Sequence, residues 1–179
     1  MQNDDGPHSS AAALEVRIGQ ALIERHLTLA VAESCTGGLI GHRLTNVPGS
    51  STYFLGGVIG YSYDAKERLL GVSHDTLYDF GAVSEQTVRE MARGARRALG
   101  ADIAVAVTGI AGPGGAMPGK PVGLTWIALS ARDTDEARQF TWSGNRETNK
   151  AQSADAALSL LAGYLRGLAA AASPNRQGP

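Results

Sequence analysis

Cysteine is nearly absent from this sequence, since Cys35 is the single cysteine among 179 residues. A lone cysteine forms no disulfide within the chain and offers no cysteine cluster for a metal. Aromatic residues make up 6% of the chain and charged residues 18%, whereas 43% are hydrophobic. This composition is ordinary for a soluble globular protein, and the length suits one domain with a proper core.

Neither sign of charge predominates, because 16 basic and 17 acidic side chains leave a formal net charge of −1. A general nucleic-acid binder would show a basic excess, so we expect no direct nucleic-acid partner. A local cationic pocket for one small anion is still compatible with this balance.

Long hydrophobic runs are also lacking, and no apolar stretch approaches the ~20 residues that a membrane span requires. The first residues, MQNDDGPHSS, are acidic and polar. A signal peptide would begin with basic and then apolar residues. We therefore expect a cytoplasmic protein that has no membrane partner.

Hydrophobic periodicity predicts a single domain over residues 11–172, with flexible tails at 1–10 and 173–179. Helices are predicted at 11–26, 36–44 and 64–70, between Ser84 and Gly100, and from Asn145 onward. The predicted inward-facing stripe of the last helix is Ala151, Ala154, Leu158, Leu161 and Leu165. Strands are predicted at 27–33, 53–61, 102–107, 124–130 and 137–142. This alternation favours an α/β fold, a three-layer α/β/α sandwich, whose last two strands form an antiparallel pair.

Reactive or glycine-rich segments follow three of the predicted strands. They are Ser34–Gly38, Tyr61–Lys66 and Thr108–Gly115. In open α/β sheets, ligands bind beyond the carboxyl ends of the strands. The three segments together therefore indicate a candidate active site.

Ser34 follows directly from a predicted buried strand, which would hold its hydroxyl oxygen steady. The amides of Thr36, Gly37 and Gly38 would lie at a helix start, where unpaired N–H groups favour negative charge. They are candidates for an oxyanion hole or for binding a substrate phosphate. An ordinary strand-to-helix turn explains the same residues equally well.

The glycine-rich loop also suggests a nucleotide-binding P-loop, because Gly114–Lys120 fits the pattern G-x-x-x-x-G-K. The next residue is Pro121, so the hydroxyl that would bind magnesium is missing. Proline also lacks the N–H that such a loop would direct at phosphate. The sequence therefore excludes a nucleoside triphosphatase of this type.

Four segments, taken in order, resemble one known family. They are AESCTGGLIGHRLTNVPGSS (32–51), YSYDAKERLLGV (61–72), VTGIAGPGGAMPGKPVGL (107–124) and SGNRETNKAQSADAAL (143–158). They are similar to the CinA C-terminal domain family of competence/damage-inducible proteins, whose active members are nicotinamide-nucleotide amidohydrolases. The resemblance runs from about residue 14 to 168. It implies a three-layer fold with a mixed, mostly parallel five-stranded sheet.

The resemblance also implies a reaction, the hydrolysis of the carboxamide of nicotinamide mononucleotide to nicotinate mononucleotide and ammonia. In this family a serine–lysine dyad does the chemistry, and Ser34 and Lys66 match it with the family's spacing. The substrate would be a small pyridine nucleotide, and no cofactor is implied. A free lysine titrates near ~10.4, so Lys66 would need its pKa lowered by ~3 units, which burial could supply.

Four further positions match residues of the family's site. The resemblance makes Tyr61 a proton relay or a ring-stacking partner, Thr108 and Gly109 substrate contacts, and Arg146 a phosphate ligand. From the residues alone, a core aromatic is the more usual interpretation of Tyr61 and a surface side chain that of Arg146, and Thr108 and Gly109 could form a purely structural turn. Arginine grips phosphate through two parallel hydrogen bonds, which suits the role that the family implies.

Two positions depart from the family pattern. Tyr63 stands where asparagine is common, which puts a polar role of that position in doubt. Asn145 replaces the more usual aspartate, and because both residues cap helices we expect the fold to tolerate it.

Two alternatives stay open. Cys35 is a rival nucleophile, although a cysteine hydrolase usually requires a histidine and none falls in the three segments that follow the predicted strands. A noncatalytic interaction module in competence or the DNA-damage response is the second alternative. We expect no metal site, since Glu33, Asp64 and Glu67 are too few and scattered, and we expect a homo-oligomer.

Overall fold

A computed structural model describes residues 13–171, so the predicted tails at 1–10 and 173–179 lie outside it. The sheet has five strands in the order β2-β1-β3-β4-β5. Their bounds are β1 Leu29–Glu33, β2 Phe54–Ile59, β3 Ile103–Gly109, β4 Leu124–Ser130 and β5 Asp135–Thr141.

The sheet is mixed, as the sequence predicts. Strand β1 pairs in parallel with β2 and with β3, whereas β4 pairs antiparallel with β3 and with β5. Strand β4 therefore runs against the other four. Its first residues lie at the same end of the sheet as the last residues of β1 and β3.

Six helices form the outer layers of the described residues. They are α1 Leu14–Arg25, α2 Leu39–Thr45, α3 Tyr63–Leu70, α4 His74–Phe80, α5 Glu85–Leu99 and α6 Arg146–Ala171. Helices α1, α2 and α6 pack on one face of the sheet, and α3, α4 and α5 lie on the other. The three-layer prediction is confirmed. Of the helices in residues 13–171, none combines the length and the apolar character needed to cross a membrane.

The two faces of the sheet differ in side-chain size. Leu29 and Val31 of β1 point into the core beneath α1, α2 and α6, whereas Ala30 and Ala32 face α5. Successive side chains of a strand alternate between the two faces of the sheet, so the continuous apolar sequence of β1 fits a strand that is buried on both faces. The small alanines let α5 approach the sheet closely.

Local signals placed the ends of α5 correctly. The Ser84 hydroxyl accepts a hydrogen bond from the Thr87 amide, and Gly100 ends the helix in the left-handed region at φ 63°. Two details differ from prediction. Helix α4 stands between the helices predicted at 64–70 and from Ser84, where no helix was predicted, and Ala151 is exposed. Ala151 lies about 60° around the helix from Ala154, at the margin of the inward stripe.

Candidate active site

Ser34 and Lys66 meet at the carboxyl end of β1. The Ser34 amide donates to the Val107 carbonyl at 3.0 Å, which holds the residue against β3. Lys66 projects from α3, is only 1% exposed, and places its Nζ 3.1 Å from Ser34 Oγ. The same nitrogen donates to the Gly60 carbonyl at 2.6 Å. The hydroxyl and the amine are thus within proton-transfer reach.

Burial lowers the pKa of Lys66 to about 8, and the charge that Cys35 would carry if ionised opposes this shift. An amine with that pKa is neutral in about one molecule in ten at pH 7, compared with roughly one in a few thousand for a free lysine. An amine with this pKa can act as a general base near neutral pH without a histidine.

Cys35 is a poorer nucleophile than its position suggests. It is buried and lies beside the serine, and burial raises the pKa of its thiol to about 11. The thiolate is the reactive form of cysteine, and at this pKa it is scarce at neutral pH. The geometry favours Ser34 as the nucleophile.

Glu33 has a role that the sequence interpretation did not assign. Its carboxylate is buried and accepts hydrogen bonds from the amides of Gly38 (3.0 Å), Ile40 (3.1 Å) and Gly41 (2.9 Å). The helix-start amides that could have bound an anion are therefore largely taken by the protein itself. A glutamate directly before the serine and the two glycines was the signal that could have indicated this cap.

Two of the three candidate amides after Ser34 are bonded within the protein. The Gly37 amide donates to the Ser34 carbonyl at 3.1 Å, and the Gly38 amide is bound by Glu33. The Thr36 hydroxyl is buried with no hydrogen-bond partner among the described residues. Thr36, Gly37 and Gly38 are not among the residues that line the pocket beside Ser34.

A pocket of about 250 Å³ opens above the dyad. It brings together six of the predicted site residues, Ser34, Tyr61, Lys66, Thr108, Gly109 and Arg146. The loop after β3 forms one wall and the segment 82–83 another. Across residues 13–171, no three His, Cys, Asp or Glu side chains lie close enough to hold a metal ion.

Arg146, the first residue of α6, brings a positive charge to this pocket. Its guanidinium donates to the Gly112 carbonyl at 2.7 Å and to the Tyr61 hydroxyl at 3.0 Å. Tyr61 is 59% exposed, so it is not a core aromatic. Because guanidinium has five N–H donors, Arg146 keeps donors for an anion while it bridges the loop and the tyrosine.

The segment 82–83 was not predicted as part of the site. The Thr108 hydroxyl donates to the Ala82 carbonyl at 2.7 Å, and the Ala82 amide donates to the Tyr63 hydroxyl at 3.2 Å. Tyr63 therefore has a polar role despite its departure from the family pattern, since it fixes one wall of the pocket. The other departure is tolerated as expected, because Asn145 Oδ1 accepts from the Thr148 amide at 2.9 Å and caps α6.

The family model for the CinA C-terminal domain matches residues 11–165. This chain belongs to that family. A CinA-like protein of Chlorobaculum tepidum is 51% identical over 155 residues, which cover 84% of this chain and 37% of that protein. The chain therefore spans little more than a third of the length of such curated relatives.

Solved structures of CinA superfamily proteins share the fold. One from Klebsiella pneumoniae is 37% identical, with a TM-score of 0.83 over 86% of this chain and 96% of that one. The competence/damage inducible protein CihA of Agrobacterium tumefaciens is 40% identical, with a TM-score of 0.78 over 86% of this chain and 96% of that chain. The mixed five-stranded sheet is thus the architecture of the family.

Proposed function

We propose that this CinA domain hydrolyses the carboxamide of nicotinamide mononucleotide to nicotinate mononucleotide and ammonia. The observation that carries the proposal is the buried pair of Lys66 Nζ and Ser34 Oγ at 3.1 Å, at the floor of a pocket. A nucleophile held beside a base of lowered pKa is the arrangement that amide hydrolysis requires.

The first half of the reaction would form an ester. Neutral Lys66 takes the proton of the Ser34 hydroxyl as Oγ attacks the carboxamide carbon. The resulting ammonium then gives that proton to the departing nitrogen, which leaves as ammonia. One N–H of Lys66 is held by the Gly60 carbonyl, which orients the amine throughout.

The second half would return the enzyme to its starting state. Neutral Lys66 takes a proton from water as the water oxygen attacks the ester carbon, and then returns that proton to Ser34 Oγ. The products are the free acid and the original hydroxyl, so one amide and one water give one acid and one ammonia.

Charge and pocket shape support a nucleotide as the substrate. The exposed Tyr61 ring and the Arg146 guanidinium lie together at the pocket wall. A guanidinium can bind a phosphate through paired hydrogen bonds, and an aromatic ring can stack on a flat heterocycle. The Thr108 oxygen, which donates its own proton to Ala82, can still accept from a carboxamide N–H.

The test is ammonia release from nicotinamide mononucleotide by the purified protein, with nicotinate mononucleotide followed by chromatography. We expect turnover in the wild type and in Cys35→Ala, and its loss in Ser34→Ala and Lys66→Ala. Lys150→Ala, which changes a lysine of α6, is the matched control. No turnover in the wild type would refute the proposal and leave the noncatalytic alternative. Turnover that survives in Ser34→Ala would refute Ser34 as the nucleophile and favour Cys35.

A further inference from the structure

Glu33 is a buried carboxylate whose partners are backbone amides. It is 1% exposed, and its two oxygens receive three N–H bonds from the first turn of α2. Among the described residues it forms no salt bridge. A buried charge is costly unless hydrogen bonds compensate it, so these three bonds are what stabilise the carboxylate there.

The three bonds of the Glu33 carboxylate lie at one end of the turn that contains Ser34. Between the end of β1 and the start of α2 lies the turn 34–38, which contains Gly37 at φ 63° and Gly38 at φ 98°. Glycine allows this geometry but does not enforce it. On the strand side the turn is held by the Ser34 amide on Val107, and on the helix side by the Glu33 carboxylate.

We propose that Glu33 is a positioning residue for the reaction, which fixes the turn 34–38 so that the Ser34 hydroxyl stays within reach of Lys66. This inference rests on the proposed function, because it assigns a role within the same site. Glutamine cannot replace the carboxylate fully, since its amide nitrogen would face a backbone N–H in place of an acceptor oxygen.

The experiment measures the reactivity of Ser34 directly, through the rate at which a fluorophosphonate probe labels it, read by intact mass. In Glu33→Gln we expect labelling and kcat each to fall by about tenfold or more, because small displacements of a nucleophile cost large factors in rate. The KM should stay within about twofold, since the pocket wall that binds substrate is unchanged.

Glu90 provides the matched control. Its carboxylate also accepts hydrogen bonds at a helix start, from the Ser73 amide and the Thr76 hydroxyl at 2.7 Å each. None of these three residues lines the pocket. Glu90→Gln should lower the melting temperature yet leave labelling within about twofold of the wild type. If Glu33→Gln behaves in the same way, Glu33 is only a helix cap and the inference is overturned.

Glu33→Asp is the second variant, and it decides the question if Glu33→Gln does not fold. It keeps the charge but withdraws the carboxylate by one methylene. We expect the plateau labelling rate to fall while the pH midpoint of labelling stays at the wild-type value. A plateau labelling rate equal to that of the wild type, with or without a shift in the pH midpoint of labelling, would overturn the inference. If the wild type labels at Ser34 but releases no ammonia, the proposed function fails while the role of Glu33 is still measured.

Discussion

Lys66 loses nearly all contact with water when the chain folds, and this burial affects reactivity and stability in opposite directions. Water stabilises the charged amine more than the protein interior does, so burial lowers its pKa to about 8. The neutral form that can accept a proton becomes available, but the charged form that predominates at pH 7 is left in an unfavourable environment.

The pH dependence of turnover follows from this pKa. Since the neutral amine is the active base, kcat/KM should rise with pH and level off above a midpoint near the Lys66 pKa of about 8. A series of initial rates between about pH 6 and 10 measures it. A profile that falls as pH rises through 8 would contradict the assignment of Lys66 as the base.

Lys66→Met should make the protein inactive and more stable. The lowered pKa costs the folded state about 3 kcal/mol below pH 8, and this cost disappears as pH rises from about 8 towards the unfolded value of 10.5. Removing the amine should therefore raise the free energy of unfolding at pH 7 by about 1–3 kcal/mol, part of the gain being offset by the lost hydrogen bonds.

Urea unfolding of both proteins measures that change. The wild type should also gain stability between pH 8 and pH 10.5, whereas Lys66→Met should lack this gain. If the free energy of unfolding depends on pH equally in the two proteins, the pKa of Lys66 is not lowered in the folded state.

Single residues of the site were predictable where a motif contained them. Ser34, Lys66, Tyr61 and Arg146 stand in segments that match the family, and the structure brings them to one pocket. The cap formed by Glu33 was missed despite that sequence signal, because its three partners become neighbours only when the turn folds back over the strand end.

Among the elements, α3 and α5 cross with almost no space between their backbones. A Cβ atom added at Gly94 of α5 would lie 1.8 Å from the Leu70 carbonyl oxygen of α3. Because Lys66 belongs to α3, this crossing also affects the position of the Lys66 amine.

Gly94→Ala should therefore destabilise the protein by about 3 kcal/mol or more, since backbone must move to make room. Gly167→Ala in α6 is the control, because no atom lies within 4 Å of the added methyl group. It should be neutral or stabilise by up to about 1 kcal/mol, as alanine favours helix. Thermal unfolding compares the two, and equal melting temperatures would contradict the close crossing.

Elements were predictable where their signals are local. The caps Ser84 and Gly100 gave both ends of α5, and apolar runs gave β1 and β3. Helix α4 was missed because it has seven residues and its N-cap Ser73 forms no side-chain capping bond. Its position depends on packing through Leu77, which periodicity over so short a segment does not reveal.

In the whole molecule, the two edge strands of the sheet differ in character. Strand β5 carries charged residues, whereas β2 carries none and exposes Leu55 and Ile59. Charged side chains protect an edge against pairing with another strand, and β2 lacks that protection. Strand order was not readable from the sequence, so this difference became visible only in the fold.

The homo-oligomer expected from the sequence stays a prediction, and we place its contact at β2. Leu55→Lys should shift the wild-type oligomer towards monomer in light scattering after size exclusion. Ile23→Lys is the control, since Ile23 on α1 is 44% exposed and Leu55 is 43% exposed. A monomeric wild type, or an equal effect of both substitutions, would contradict this contact.

The reversed direction of β4 has one further consequence. Because β4 returns from the edge at which β3 ends, the chain between them leaves and re-enters at the same place. Two hydrogen bonds close the base of this loop, one from the Ile110 amide to the Leu124 carbonyl (2.8 Å) and one from the Gly123 amide to the Ile110 carbonyl (2.7 Å). Residues 112–122 thus form a loop closed at its base and held further by the bonds of Arg146 to the Gly112 carbonyl and of Lys120 to the Phe80 carbonyl. An exchange confined to residues 113–119 would reshape one pocket wall, and with it the selectivity of the proposed enzyme, while sparing these bonds.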